Sequence, residues 1–438
     1  MVIKPDTKLN PKSIAELLQE TLGAKELKQL ARQCGFQKRE RKITALELLV
    51  SCISTLGSGE AQWIADIVRT YNKITSKNIK YKPFYNQLAK KEFPEFLLLV
   101  LERVVRKFAM RMIDYQLPGK LSLFGDIIVH DGSSFALKDA LSRHWPGRFT
   151  TVSPAAVELH VTMSVLNDTP IGIMLAPDKD SERLYLPEAD ELVHRLFLAD
   201  RGYQGRDYFS ELQSAEGYYV IRGTSNIRPT IVKAIGADGR ILKHLEGKKL
   251  KWSILPQETV DLDISWGQGA KQYRGRLVAI YKRGKRNKKT FTYLHTNLSR
   301  AIFSVEEVGA LYRLRWQIEL LFKEWKSYSN LHSFDTSNQE IAEGLIWASL
   351  LAATLKRFLA HAAERVLAVE ISTQRVAASA RLFFDDVLST LLHAPTALPS
   401  LLSRVFAYFA ENTRRAHPRR DRKIGRLSVG LEPIALKN

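Results

Sequence analysis

The sequence predicts an α/β protein: a mixed sheet with helices on its faces, carrying an all-β insertion and flanked by helical regions at both ends. Three observations predict it. Between about residues 119 and 222, apolar strand-like runs come first and then alternate with helical stretches, the order expected of a mixed sheet covered by helices. Residues 1–118 and the stretch from Val305 to about 412 repeat their apolar residues at helical spacing. Residues 223–298 instead alternate short β-like stretches with Gly and charged turns.

In chain order, residues 1–118 read as a helical DNA-binding domain. Ile14, Leu17, Leu18 and Leu22 share one helical face, as do Ala45, Leu48, Leu49 and Cys52. Basic residues cluster at Lys38, Arg39, Arg41 and Lys42, and again at Lys77, Lys80, Lys82, Lys90 and Lys91, with Tyr81, Phe84 and Tyr85 interleaved. That surface suits DNA docking; a solvated helical face is the alternative. The first part of the core, 119–222, follows. Leu123–Val129 is an apolar strand that breaks at His130-Asp131-Gly132. Val157–Leu166 and Ile171–Leu175 make two strands joined by a turn at Asn167-Asp168-Thr169-Pro170. A helix is expected over Leu186–Leu196, opened by Pro187. Leu196–Ala199 is a strand that breaks at Asp200-Arg201-Gly202, Gly205–Ser214 a short helix and Gly217–Ile221 another strand.

The insertion, 223–298, has basic turns such as Gly247–Lys251 and Tyr281–Arg286. Residues 299–345 return to the core, 346–412 form a helical C-terminal region, and 413–438 are a basic tail with seven Lys or Arg among the thirteen residues from Arg414 to Arg426.

Composition narrows the function. In 438 residues, 66 Lys and Arg against 46 Asp and Glu leave +20, a surplus that attracts polyanions, of which nucleic acid is the commonest. Two cysteines, Cys34 and Cys52, make neither a disulfide framework nor a cysteine zinc site. Met1–Ser13 lacks a signal-peptide core, and the longest apolar run, Ile346–Leu355, falls short of the roughly 20 residues that span a bilayer. A cytoplasmic protein with no membrane step is expected.

Two segments share a layout. Ile127–Asp131 and Leu196–Asp200 each place an aspartate just past an apolar strand, with a glycine soon after. Strand ends are where reactive groups gather in sheet folds, and neighbouring strands would bring the two carboxylates together. Each Asp could also simply open a turn. A third part lies on an expected helix over 312–326, where Tyr312, Arg315, Glu319 and Lys326 fall within about 60° of one another around the axis. Ion pairing of Arg315 with Glu319, four residues apart, is the plainer account of that face. Phe322 on it, with Leu321 and Trp325 beside it, points to partial burial, where charges need a partner or a purpose.

Tyr-x2-Arg-x3-Glu-x6-Lys at 312–326 resembles the signature of the bacterial insertion-sequence-four family of DDE transposases, which includes the Tn-five-type and IS-ten-type enzymes. Four fixed residues match by chance in roughly one in a few hundred chains of this length. The Asp-Gly context of Asp131 and the Asp-Arg-Gly-Tyr context of residues 200–203 look like the family's first two motifs, and the β insertion lies in the family's place.

The resemblance implies a ribonuclease-H-like core with Asp131 on the first strand, Asp200 on the fourth and Glu319 on a later helix. It implies that these three residues are catalytic and hold Mg2+ or Mn2+, with two ions expected. Phosphodiester cleavage sets a charged oxygen against a charged phosphate, and two divalent ions about 4 Å apart can activate the attacking oxygen and stabilise the leaving one. Without metal, three converging acids repel one another.

By the same resemblance Arg315 and Lys326 grip phosphates, Tyr312 contacts a phosphate beside a flipped base, and Arg201 contacts DNA. An aromatic that stacks on the flipped base is expected just before the signature helix, where Phe291 and Tyr293 stand; Trp252 and Trp266 are further away. The family binds terminal inverted repeats and target DNA, acts as a homodimer on DNA and cuts and pastes its element. An inactive DNA-binding relative that inhibits transposition, and a nuclease that cuts without joining, are the rival readings. Asp126 is a weaker alternative to Asp131, Glu182 a candidate supporting residue, and Glu324 faces about 140° away from Glu319. His130 and His144 read as structural or solvated, and Trp316, Trp325 and Trp347 as core.

Overall fold

A computed structural model describes residues 9–39, 42–59, 63–112, 119–224, 226–283, 289–331 and 335–415. The described residues begin with six helices: α1 (Pro11–Leu22), α2 (Ala24–Gln33), α3 (Ala45–Gly57), α4 (Ile64–Thr75), α5 (Tyr81–Leu88) and α6 (Phe93–Met112). Their starts are written locally. Asn10 accepts from the Lys12 and Ser13 amides with Pro11 in the first turn, and Thr44 and Glu47 cap α3 reciprocally. α3 is buried on nearly every side, because α10 (Gln339–Leu367) lies against it as well as against α6. The close approach of α10 to α6 uses Gly344, where an added Cβ would run into the Phe93 ring.

Among the described residues nine strands form one sheet: β1 (Ile127–Ala136), β2 (Ala156–Ser164), β3 (Thr169–Pro177), β4 (Leu196–Ala199), β5 (Tyr218–Gly223), β6 (Thr230–Ile235), β7 (Val260–Trp266), β8 (Tyr273–Arg283) and β9 (Lys289–Thr296). Their order is β3-β2-β1-β4-β5-β9-β8-β7-β6. β1, β4 and β5 are parallel, and β2 and β3 fold back antiparallel. The 3-2-1-4-5 half with that pattern is the ribonuclease-H-like arrangement. The strands of 223–298 extend the same sheet, because β9 pairs antiparallel with β5 from Val220↔Thr296 to Gly223↔Tyr293.

Alternation along the strands splits the core in two. Val129, Val161, Leu198 and Val220 face the helical layer, while Ile128, Phe197 and Tyr219 join Phe209 of α7 (Arg206–Ser214), Leu262 and Leu277 on the other side. The last helices are α8 (Val305–Arg313), α9 (Trp316–Tyr328), α10, α11 (Thr373–Ala378), α12 (Phe384–His393) and α13 (Leu398–Asn412). Among the described residues no helix is long and apolar enough to cross a membrane.

Four expectations need correction. No α-helix spans Leu186–Leu196: a single 3-10 turn, Ala189–Leu192, gives way to Val193 bridging Gly217 and to His194 at φ 54°, which no helix continues through. β1 begins at Ile127 rather than Leu123 and does not stop at Asp131, because β2 keeps pairing with it to Ala136. The helix expected over 312–326 is two helices. Trp316 is 47% exposed, unlike Trp325 and Trp347, because it opens α9 on the outer side. Of the basic tail, residues 416–438 lie outside the described residues, as does Arg41 of the first basic cluster.

Candidate active site

β4 ends at Ala199, opposite His130 of β1, so the parallel ladder between them stops one residue before Asp131 and one before Asp200. Asp200 therefore leaves the carboxyl end of β4 beside Asp131, which stands within β1 just past the parallel pairing, at the edge where open α/β sheets place their ligands. β1 runs on through Asp131, held by β2, which fixes the Asp131 backbone on one side while leaving its other side open. The Gly132 amide donates to Asp131 Oδ1 at 3.0 Å.

The third element arrives from the helical layer. α8 ends at Arg313, and the amides of Arg315, Gln317 and Ile318 donate three residues back, to Tyr312, Leu314 and Arg315. Leu314 and Arg315 have the φ/ψ of a 3-10 turn, so Arg315 stands on a tightened corner between two helices, with Tyr312 before it on α8 and Glu319 and Lys326 after it on α9. The corner turns Arg315 into the site. Its guanidinium donates from Nη1 to Asp131 Oδ2 at 3.0 Å and from Nη2 to Glu319 Oε1, so one cation lies between two carboxylates. Asp200 is held separately, by the Tyr312 hydroxyl donating to Oδ1 at 3.1 Å and by Arg222 Nη1 at 3.4 Å.

The charges are compensated unevenly. Burial pushes the Asp131 carboxyl up to about 6; Arg315 and the Gly132 amide oppose this, and the nearby Asp200 and Glu319 add to it. Burial also acts on Asp200, yet the Arg201 amide, Arg315, Arg222 and Tyr312 together hold it below its ordinary value. Burial disfavours the charged form of Arg315, but Tyr312, Glu319 and Asp131 raise its pKa nonetheless, so it remains a permanent cation.

The other expected residues are placed as follows. Lys326 Nζ donates to the Ser134 carbonyl at 2.9 Å, anchoring the end of α9 to β1 beside the site. Arg201 is exposed directly after Asp200. Tyr293 is only 4% exposed, with its ring against Phe291, and it is not displayed for stacking; facing inward from β9 is what buries it. Trp252, at 57%, is the exposed tryptophan of the insertion. Asp126 is tied to Ser164 Oγ and the Ile127 and Leu166 amides, away from the two aspartates. His130 is buried with Nδ1 2.9 Å from Thr162 Oγ1, His144 is exposed, and Glu324 pairs with Arg357 in the core. Glu182 lies behind Gly202.

Sequence reasoning missed Arg222 and Arg148. Arg222 follows the apolar run Tyr219–Ile221 of a third parallel strand, so the strand-end logic that marked the aspartates also reaches it. Arg148 sits in an irregular stretch and carried no signal. Among the described residues, no three His, Cys, Asp or Glu side chains stand close enough to hold a metal ion; Arg315 fills the space between Asp131 and Glu319.

Residues 122–355 match the family described as Transposase DDE domain. The transposase for insertion sequence element IS1151 of Clostridium perfringens is 22% identical, over 81% of this chain and 82% of that protein. The transposase for insertion sequence element IS231F of Bacillus thuringiensis subsp. israelensis is 22% identical over 92% of each. A 62-residue stretch is 47% identical to the putative transposase InsL for insertion sequence element IS186A of Escherichia coli, covering 14% of this chain and 17% of that one. A piggyBac transposase in a synaptic complex with hairpin DNA superposes with a TM-score of 0.45 at 11% identity, over 92% of this chain and 86% of that one. The matched segment runs from just before β1 into α10 and so contains both aspartates and the Arg315 corner; the chain belongs to the family of transposases with a DDE domain.

Proposed function

We propose that this transposase excises and inserts DNA by a cut-and-paste route, with Asp131, Asp200 and Glu319 as its catalytic carboxylates. One observation carries the reading: a single guanidinium, that of Arg315, joins Asp131 to Glu319 beside an Asp200 held by Tyr312 and Arg222. Residues distant in the chain thus converge at the edge of two parallel strands, and they hold more negative charge than apolar surroundings tolerate without a cation.

The donor set fits a hard divalent ion. Carboxylate oxygens are the ligands Mg2+ and Mn2+ prefer, and Asp131 is short of positive charge even with Arg315 beside it. Asp131, Asp200 and Glu319 would hold the metal, two ions in our reading, and bound divalent ions supply charge neutralisation and activation of the attacking oxygen. The protein's own groups do the rest. Lys326 binds a backbone phosphate as a point charge, and Arg315, whose fork spans Asp131 and Glu319, binds one by leaving those two carboxylates. Tyr312 and Arg222 orient Asp200. Exposed Arg201 contacts the DNA beside the cut, and the excess of +20 draws the duplex in. The substrates are the terminal inverted repeats and then target DNA, taken by a homodimer formed on the paired ends.

Asp200→Ala tests the reading. It is expected to bind end-sequence DNA as the wild type does in a mobility-shift assay and to yield no nicked or joined product with Mg2+. A variant that still cuts and joins would remove Asp200 from the chemistry.

A further inference from the structure

Each aspartate is followed by a glycine whose missing side chain is replaced by a carboxylate. A Cβ on Gly132 would collide with Oε1 of Glu158, and one on Gly202 with Oε2 of Glu182. Neither glycine has positive φ, so backbone conformation does not demand glycine at either place; at Gly132 the room is taken by buried Glu158, and at Gly202 by the end of the partly exposed Glu182 side chain. Glu158 lies on β2 opposite Ser134, on the face of β1 that Gly132 leaves bare. Alternation puts that face behind the Asp131 side chain.

The two carboxylates are joined. Arg148 Nη2 lies 3.5 Å from Glu158 Oε2 and 3.8 Å from Glu182 Oε1. Arg148 is itself fixed, its amide donating to Asp178 Oδ2 at 2.9 Å and its Nε to the Asp178 carbonyl at 3.3 Å, while Ser134 of β1 donates to the other oxygen of Asp178. Glu158 is buried, with a side chain only 5% exposed, so it cannot swing away from Gly132 into water. Burial and the neighbouring Glu182, Asp178 and Asp131 carboxylates push the Glu158 carboxyl up to about 7, and Arg148 is the cation that opposes them.

We propose that Arg148, Glu158 and Glu182 form a clamp that sets the spacing between Asp131 and Asp200: Glu158 seats on Gly132, Glu182 seats on Gly202, and the Arg148 guanidinium ties the two seats together from behind. All three are positioning residues. The clamp rests on the reading of Asp131 and Asp200 as metal-holding carboxylates, and the experiment separates the two.

Mn2+ binding to the full chain, without DNA, is measured by isothermal titration calorimetry alongside thermal melts. Arg148→Met keeps the length and removes the charge, and it is expected to weaken Mn2+ by about tenfold, the scale seen when groups supporting metal ligands are removed. Arg148→Lys restores much of that loss. Glu182→Gln, at a partly exposed site, weakens Mn2+ in the same direction and carries the test if Arg148→Met does not fold. Asp200→Ala is the control. If Asp200→Ala abolishes Mn2+ binding while folded Arg148→Met and Glu182→Gln stay within twofold of the wild type, the clamp is overturned and the site reading stands. If Asp200→Ala binds Mn2+ like the wild type, the site reading falls and the clamp with it.

Discussion

Arg357→Met removes the centre of a buried ion network that docks the helix bearing Glu319. Arg357 lies on α10 with a side chain 6% exposed. Its Nη2 is 2.6 Å from Asp168 Oδ1 in the β2–β3 turn, its Nε donates to the Asp168 carbonyl at 2.6 Å, and its Nη1 lies 3.1 Å from both oxygens of Glu324 on α9. Met keeps most of the stem, so the change falls on charge rather than packing. Breaking one partner out of a buried pair costs about 3 to 5 kcal/mol.

At about 2.1 cal/mol/K per residue, a chain of 438 residues unfolds with an entropy near 0.9 kcal/mol/K, so Tm should fall by about 3 to 5 °C at pH 7. The deficit should also depend on pH. Burial raises the Asp168 pKa, but Arg357 and His361 outweigh it and hold the carboxyl below its ordinary value. In the wild type its contribution is therefore fully present above about 4 and is lost as pH falls through the lowered pKa. In the variant, burial without Arg357 favours the protonated form, so the variant recovers stability as pH falls. The two Tm values should converge between pH 7 and pH 4, followed by circular dichroism. His361 acts with the opposite sign, since its raised pKa gives stability present below about 6.5 and lost above, so the gap between the proteins is what is compared. A deficit under 1 °C, or one equal at both pH values, would refute the electrostatic reasoning.

Two further outcomes are expected beside the tests of Asp200 and Arg148. With the Asp131 carboxyl at about 6, a cation must displace a proton at lower pH, so apparent Mn2+ affinity should weaken by about tenfold per pH unit below about 6 and level off above it. A titration series from pH 5 to pH 8 that stays flat would show that Asp131 does not take part. Gly344→Ala should raise intrinsic helix propensity by about 1 kcal/mol, yet the Cβ meets the Phe93 ring, and overpacking of this kind costs about 1 to 3 kcal/mol. A lower urea midpoint, restored in part by adding Phe93→Leu, is expected; a higher midpoint for Gly344→Ala alone would mean that α6 and α10 yield freely.

What could be read from the residues depended on whether the cause was local. Asp200 was legible because an apolar run followed by Asp marks a strand end, and β4 does stop at Ala199, whereas the same pattern misplaces the end of β1, which β2 carries past Asp131 to Ala136. α3 and α10 were legible because their apolar spacing persists over many residues. Long-range causes were not. Leu186–Leu196 has helical spacing after Pro187, but Val193 is taken by a bridge to Gly217 and His194 turns left-handed, neither of which periodicity records. Leu314 and Arg315 are good helix formers, and nothing in 312–326 marks a break. The corner coincides with Arg315 reaching two acids, one of them 184 residues away. The insertion looked separate because its own strands alternate cleanly; its union with the main sheet depends on the β5–β9 register, which spans about 70 residues of chain.

The asymmetry of the site has a physical reason in the same corner. Three carboxylates meeting in partly apolar surroundings would repel one another, and the usual escape is protonation of one of them. Asp200 avoids it through the Arg201 amide and three side chains, Arg315, Arg222 and Tyr312, and so stays below its ordinary pKa. Asp131 has only one cation, and it shares that cation with Glu319, so burial wins and the carboxyl rises. Arg315 cannot relieve this further: with its Nη1 and Nη2 already committed and its Nε buried without a hydrogen-bond partner among the described residues, its donors have no better direction to turn. Asp131, against β1, is therefore the carboxyl that takes a proton first, on the strand that Glu158 braces from behind.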